Sequence, residues 1–389
     1  MGSRNLKSVL LLVCCVSLVN SRDDDLFSSQ FTWNMFKAAF DGKHNMAVSP
    51  FSARLAMTLL ANTVKDPFSQ RQLVNKLMLH GSISRARETY KGKLSQLSKL
   101  EALKFATRIS AIGNGTINPS IRSSLTSFNA SLERRTTFDK RRLISDTNRW
   151  ANQESMGMIK NILKNNDLHP NSRLLLYTTV ALKTRWDTQL RSANIEEAPF
   201  YIWKMKKAVP TTMMSWSNVM LPTTYNKALE IIALELPFEA GSDLSLLIMM
   251  PMSAKGNLSA LTSSLNENSF QQLYSSLSTY RVSVKIPSFK INEVMRMQNI
   301  FRRMQLSAPF EWSLFEMFRN NKVNLDRFKH GVALDIDAPA DDSAGLGSRS
   351  TFDGMTFFAE RPFVFAVILR SKRFPLIVGT YAYPPSSET

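Results

Sequence analysis

The stretch Asp337 to Thr356 (DAPADDSAGLGSRSTFDGMT) decides how the rest of the chain is read. Gly, Ser, Asp and Pro run through it, while strand-like apolar segments flank it, His330 to Ile336 before it and Phe363 to Leu369 after it. That composition in that setting predicts a long, exposed, protease-sensitive loop near the C-terminus. Arg349-Ser350 is its only basic peptide bond, the type that a trypsin-like protease cuts.

Outward from the loop, short apolar runs rich in Val, Ile, Phe and Tyr recur: Leu174 to Leu182, Leu229 to Pro237, Leu244 to Pro251, Arg281 to Pro287 and Leu376 to Tyr383. Each has strand length and is bounded by turn residues. Arg281 to Ile286 (RVSVKI) alternates strictly, so its sheet has one covered and one open face. The first third of the chain reads as helix instead. Phe27, Phe31, Met35 and Ala39 recur at four-residue spacing, and Leu55, Met57, Leu59 and Leu60 follow Ser49-Pro50, a helix-start signal. Tyr90 to Ser110 continues with helix formers and interspersed Lys. Helices gathered first and strands gathered later give an α+β architecture. No internal repeat and no linker divides residues 22–389, so one domain is expected.

Residues 1–21 differ from everything after them. Arg4 and Lys7 precede the apolar run Ser8 to Val19, and compact residues lead to the boundary Ser21/Arg22. This is the layout of a secretory signal cleaved between Ser21 and Arg22. A twelve-residue apolar helix spans only about 18 Å, short of the ~30 Å core of a bilayer, so a membrane-spanning anchor is not expected. The expectation is a secreted, extracellular protein. Both cysteines, Cys14 and Cys15, fall inside the signal, which leaves neither disulfides nor thiolate metal sites afterwards. A chain of 389 residues with 44% apolar content can instead hold its fold by packing alone. Export exposes three sequons to glycosylation, at Asn114, Asn129 and Asn257.

The net charge is +18, or +16 once Arg4 and Lys7 are removed, which favours anionic partners. Arg85, Arg87, Lys91 and Lys93 (with Lys99 and Lys104) form one basic group; Arg134, Arg135, Arg141 and Arg142 (with Lys140) form a second, and Lys204, Lys206 and Lys207 a third. For an exported chain a sulfated glycosaminoglycan or an anionic cell surface suits such groups better than DNA. A merely solubilising surface is the competing reading. Catalytic signatures do not appear. His44, His80, His169 and His330 are the only histidines, none at metal-ligand spacing, and nucleophile-elbow, P-loop and dinucleotide-binding glycine patterns are missing. No enzyme, cofactor or metal site is expected, and a monomer is.

At the loop and its flanks the sequence resembles the serpins, the serine-protease-inhibitor superfamily. Phe358-Ala-Glu-Arg-Pro-Phe-Val-Phe365 and Pro375-Leu-Ile-Val-Gly-Thr-Tyr-Ala-Tyr-Pro384 look like the signature that follows the serpin reactive loop. Matches continue through Asn45-Met-Ala-Val-Ser-Pro-Phe-Ser52, Asn148-Arg-Trp150, Lys183-Thr-Arg-Trp186, Leu234-Glu-Leu-Pro-Phe238 and Ile286-Pro-Ser-Phe-Lys290. The divergence and the absence of disulfides are similar to insect extracellular serpins of haemolymph or male accessory-gland secretion. The resemblance implies a single domain of about nine helices and three β-sheets, with the reactive loop at about 338–356. It also implies bait chemistry: a trypsin-like protease attacks the Arg349 carbonyl, becomes acylated by it as the Ser350 amine leaves, and the cut loop enters the main sheet as a new strand.

The loop departs from that pattern at its hinge, Ala338-Pro339-Ala340-Asp341-Asp342-Ser343. Ala340 replaces the hinge Gly, and Asp341 stands where a small uncharged residue is usual. Insertion has to desolvate Asp341 or Asp342 inside a sheet, at several kcal/mol if unpaired, and Pro339 removes a ladder donor. Only Ala338 to Arg349 can form the inserted strand, roughly 40 Å at 3.3 Å per residue, shorter than the family's usual strand. Thr178 and Thr184 replace the family's Asn and Gly before Trp186, and the usual Gly-Ala pair is missing around Asn62 to Lys65. Two functions follow as expectations: a secreted protease inhibitor or protease-binding bait, or a non-inhibitory extracellular binding module working through its basic surface.

Overall fold

Strand and helix assignments follow from a computed structural model, which describes residues 28–384 except 43, 80, 203–204, 254–255, 320 and 338–353. In chain order its first half runs α1 (Gln30–Ala39), β1 (Met46–Val48), α2 (Pro50–Ala61), α3 (Pro67–Lys76), α4 (Ile83–Leu97), β2 (Leu103–Ile112), α5 (Pro119–Ser127), β3 (Ala130–Arg135), α6 (Lys140–Glu154), β4 (Leu174–Lys183) and β5 (Asn194–Ile202). There follow β6 (Lys207–Asn226), β7 (Ile231–Pro237), β8 (Leu244–Pro251), α7 (Leu258–Ser264), α8 (Glu267–Ser275), β9 (Ser278–Pro287), β10 (Phe289–Arg296), α9 (Met297–Arg303) and α10 (Ala308–Glu311). The chain ends with β11 (Phe315–Phe318), β12 (Asn321–Val323), β13 (Arg327–Ile336), β14 (Met355–Phe358), β15 (Phe363–Leu369) and β16 (Phe374–Tyr381).

These strands make three sheets: a nine-stranded one in the order β1-β16-β15-β8-β7-β6-β9-β14 with β5 beside β6, a five-stranded one in the order β10-β13-β4-β2-β3, and the β11–β12 pair. The α+β reading and the three sheets hold. Ten α-helices are found among the described residues, one beyond the nine that the resemblance implies, and α10 is a single turn.

Helix α2 forms the axis of the core. Ser49 caps it by accepting the Ser52 N–H, Pro50 takes the first turn where its missing N–H costs nothing, and every residue from Pro50 to Ala61 is buried. Strands β15 and β16 are buried on both faces, which is why they read as unbroken apolar runs. Gly379 is needed where they cross β1, because a Cβ there meets the Met46 carbonyl oxygen at 2.2 Å. In β9 the alternation predicted for Arg281 to Ile286 is borne out, with Val282, Val284 and Ile286 buried and Ser283 and Lys285 partly open.

Two expectations need correction. Tyr90 to Ser110 does not continue as helix: α4 ends at Leu97, and Leu103 onward is β2, the neighbour of β4. Lys99-Leu100-Glu101 breaks the helical face, and from Leu103 the run Leu103, Phe105, Thr107, Ile109 has period two. The loop read as ending at Thr356 also gives up its last two positions, since Met355 and Thr356 already belong to β14.

Candidate functional site

The candidate site is the seam between β4 and β13, together with the two points where the chain leaves β13 and arrives at β14. Within the five-stranded sheet β10 runs antiparallel to β13 and β2 antiparallel to β4, but β4 and β13 pair in parallel, in register from Arg327↔Leu175 to Asp335↔Lys183. A strand that leaves the end of β13 and turns back into this seam runs antiparallel to both neighbours. One parallel ladder is thereby exchanged for two antiparallel ones, the more stable kind per residue.

His330 sits in the middle of the seam, fully buried, opposite Thr178. Its Nε2 accepts the backbone N–H of Ser49 at 3.0 Å, so the ring proton is on Nδ1, and Nδ1 donates to Thr178 Oγ1 at 2.6 Å. Ser49 Oγ donates to the Leu376 carbonyl at 2.8 Å. One chain of hydrogen bonds thus ties the seam to the cap of α2 and to β16. Burial pushes the imidazole down to about 3, so it is neutral wherever the fold is intact. Thr178, which the sequence marks as a departure from the serpin pattern, supplies the acceptor that this neutral tautomer needs.

The upper end of the seam is tied where the loop departs. Trp186 Nε1 donates to the Asp337 carbonyl at 3.1 Å, and its ring packs against Phe238 and Trp216. The Asp337 carboxylate accepts from Ser288 Oγ at 2.8 Å and pairs with Lys290 Nζ at 2.7 Å; Asp335 lies 3.4 Å from the same ammonium. The Asp337 contact raises the Lys290 ammonium above its ordinary range. At the landing point β14 lies parallel to β9, and Tyr225 donates its hydroxyl to the Thr356 carbonyl at 2.6 Å. Lys285 of β9 pairs with Glu196 at 2.9 Å and Glu360 at 3.4 Å and stands over the Phe358 ring.

The connection from α6 to β4, residues 155–173, crosses β13. It comes close enough that a Cβ on Gly331 would meet the Ile159 side-chain end at 2.9 Å and make it shift. The buried Asp167 of this connection binds Lys329 of β13 at 3.2 Å and Arg296 of β10 at 2.8 Å, and accepts the Lys164 N–H at 2.9 Å. Burial opposes the charge, but these three partners outweigh it and hold the carboxyl below the usual carboxylate range.

Of the residues singled out in the sequence, Ala338, Pro339, Ala340, Asp341, Asp342, Ser343, Arg349 and Ser350 lie outside the described residues, as do Ser21, Arg22, His80 and Lys204. The three sequon asparagines are exposed: Asn114 follows β2, Asn129 follows α5 in a left-handed conformation that Asn tolerates, and Asn257 caps α7 through its Oδ1. Arg85 and Lys91 are exposed on α4, whereas Arg87 pairs with Glu88. Lys93 lies on the same helix. Arg134, Arg141 and Arg142 are exposed, but Arg135 is held in ion pairs with Glu133 and Asp146. Helix α5, with exposed Arg122, packs against both α4 and β3 and bridges the two basic groups. The sequence alone assigns no site role to His330, Asp167 or Lys290. The available signal was a lone His and Lys inside an otherwise apolar strand, Phe328-Lys-His-Gly-Val-Ala-Leu334.

A sequence model of the family described as "Serpin (serine protease inhibitor)" matches residues 27–384. Among curated relatives, an FXa-directed anticoagulant of Aedes aegypti is 25% identical over 367 residues, covering 91% of this chain and 86% of the relative. Serine protease inhibitor 88Ea of Drosophila melanogaster is 22% identical, over 64% of this chain and 62% of the relative. Among solved structures, SRPN18 from Anopheles gambiae superposes with a TM-score of 0.82 at 20% identity, covering 94% of this chain and all of that one. Manduca sexta serpin-12 does so with a TM-score of 0.80, also at 20% identity, over 92% and 98%.

Proposed function

This chain belongs to the serpin family, a family of protease inhibitors rather than enzymes, and from that premise we propose that it is an exported bait for trypsin-like serine proteases. One observation carries the reading: the β4–β13 seam is closed by direct parallel pairing over nine residues, from Arg327↔Leu175 to Asp335↔Lys183, with the loop tethered at its upper end. That is the arrangement from which a cut loop gains stability by entering the sheet. Residues 1–21 support export, and Arg349 supports a protease with trypsin-like preference. Two mosquito relatives carry the name FXa-directed anticoagulant, which supports a serine protease as the partner.

The hinge sets how the bait performs. Successive residues of a strand alternate faces, so one member of the adjacent pair Asp341-Asp342 must point into the core. Insertion is therefore slow, and most encounters end in a cleaved chain and a freed protease. Incubation with trypsin tests this by denaturing electrophoresis: the expected products are chain cut at Arg349-Ser350 and a minor SDS-resistant complex. A loop left intact while trypsin stays active overturns the reading.

The exposed cations Arg85 and Lys91 of α4, Arg122 of α5, Arg134 of β3 and Arg141 and Arg142 of α6 favour a second, additional role in holding sulfated glycosaminoglycan at a cell surface. Heparin-column elution gives the measure. Retention well beyond that of an unrelated protein of equal charge is expected, with loss on replacing Arg134, Arg141 and Arg142 by Ser; co-elution with the unrelated protein removes this role.

A further inference from the structure

At the end of the five-stranded sheet opposite the loop, the C-terminal ends of three helices converge on a groove. Helix α9 starts directly after Arg296, which lies opposite Lys329 in the β10–β13 ladder near the start of β13, whereas the loop leaves β13 at its far end. The groove has two lobes that share a wall made of Asn75, Lys76 and Gln305, where Lys76 Nζ donates to Gln305 Oε1 at 3.0 Å.

On one side of this wall is an open cavity of about 710 Å³, into which α1, α3 and α9 bring Lys37, Lys76 and Arg303, with no carboxylate among its lining residues. None of the three cations makes an ion pair among the described residues. Arg303 is steered by one hydrogen bond, from Nη1 to the Ala38 carbonyl at 2.8 Å, and its other N–H groups remain available. Partial burial pulls the Lys37 ammonium below its ordinary range. A helix C-terminus carries at most about half a negative charge, so three full cations overcompensate the helices they end.

Beyond the wall is a cavity of about 300 Å³ lined by the buried Leu73 and Leu306 and by Trp312, 58% exposed, together with one carboxylate, Glu311, which accepts from Ser307 Oγ at 2.9 Å, lies 3.9 Å from Arg302 and disfavours an acidic group on this side. Exposed tryptophan beside a buried aliphatic floor is unusual for a surface that serves only solubility. The backbone points the same way. Met78 and Gln305 take left-handed conformations just past α3 and α9, φ 51° and 58°, where glycine is the unstrained choice; both keep side chains that line the cationic lobe.

We propose that this groove binds a soluble amphiphilic organic anion, with its acidic head among Lys37, Lys76 and Arg303 and its apolar body along Leu73 and Leu306 against Trp312. The charge complementarity selects the head and the apolar lobe selects the body. Neither lobe requires the reactive loop, so the inference stands or falls independently of protease binding.

The probe for the test is 8-anilinonaphthalene-1-sulfonate, which has both parts, titrated into the intact full-length chain while tryptophan emission and probe emission are followed. Saturable binding to one site is expected, with energy transfer that Trp312→Phe reduces. Lys37→Met and Lys76→Met retain most of the packing of the stems, and each should weaken binding about fivefold, as loss of roughly 1 kcal/mol of charge interaction implies. Circular dichroism melting checks that each variant is folded. A second measurement needs no variant: raising salt from 50 to 500 mM should weaken the probe several-fold. Equal affinity in wild type and both lysine variants, or binding insensitive to salt, overturns the acidic-head assignment. Inorganic phosphate binding as tightly as the sulfonate overturns the apolar body. Binding to phosphatidylserine vesicles with no binding of the soluble probe replaces the groove by a membrane-facing surface and so also overturns it.

Discussion

His330 couples the seam to pH. Its ring is neutral in the fold, with a pKa of about 3 against an ordinary 6.5, because burial makes the imidazolium too costly there. Between those two values the unfolded chain takes up a proton that the folded chain refuses, so stability falls as pH drops from 6.5 towards 3 and is level above that window. The slope is up to about 1.4 kcal/mol per pH unit. Urea unfolding at pH 7 and at pH 5 should therefore show a loss of about 2 kcal/mol that His330→Gln abolishes, and a variant as acid-sensitive as the wild type would falsify the assignment. Thr178→Val provides a second reading of the same contact. It strands the Nδ1 proton in the core, at a cost of about 1–3 kcal/mol at neutral pH.

The connection between α6 and β4 lies over β13 and is fastened by Asp167, so it is the element a strand entering the seam would have to displace. The two ends of that contact are not equivalent. Asp167→Asn leaves the Lys329 ammonium buried without a counter-charge and should cost about 3 kcal/mol or more. Lys329→Met leaves Asp167 with Arg296 and the Lys164 N–H, and should cost clearly less. Midpoints of urea unfolding for the two variants check this ordering, and the reverse order would show that Lys329 rather than Asp167 is the organising charge. Little of this fastening could be read in the sequence. The buried strands β8 and β15 match the apolar runs Leu244 to Pro251 and Phe363 to Leu369 at both ends, because strands covered on both faces need a continuous run. Strand β2 reads as helix despite its period-two run from Leu103, and β3 goes unread, because their Lys and Arg side chains face solvent or ion pairs and mimic the charge spacing of a surface helix. The same limit applies to the site. Arg349-Ser350 and the hinge stand out as a composition anomaly, whereas Asp167, Lys329 and Arg296 are far apart along the chain and only the folded sheet brings them together.

For the whole molecule the question is whether the intact loop and the closed seam store free energy. A strand that enters the seam between β4 and β13 replaces their one parallel ladder by two antiparallel ones, a net gain of one ladder, and a segment that spans nine rungs needs about 30 Å at 3.3 Å per residue. Ala338 to Arg349 reaches roughly 40 Å, so even after a reversal of two or three residues the segment is long enough to fill this seam. On the proposed reading, length is therefore not the obstacle, and the acidic pair Asp341-Asp342 is. Burying one unpaired carboxylate costs several kcal/mol, comparable with what a few added ladder hydrogen bonds return. Cleavage of the wild type at Arg349-Ser350 should accordingly move the thermal midpoint by no more than a degree or two, while cleavage of the Asp341→Ala, Asp342→Ala variant should raise it by about 5 °C more, because the same ladder then forms without the several kcal/mol of buried charge. Scanning calorimetry of both chains, intact and cut, makes the comparison. Equal shifts in the two would remove the acidic pair as the barrier and place it in Pro339 or in the fastening of the α6–β4 connection over β13.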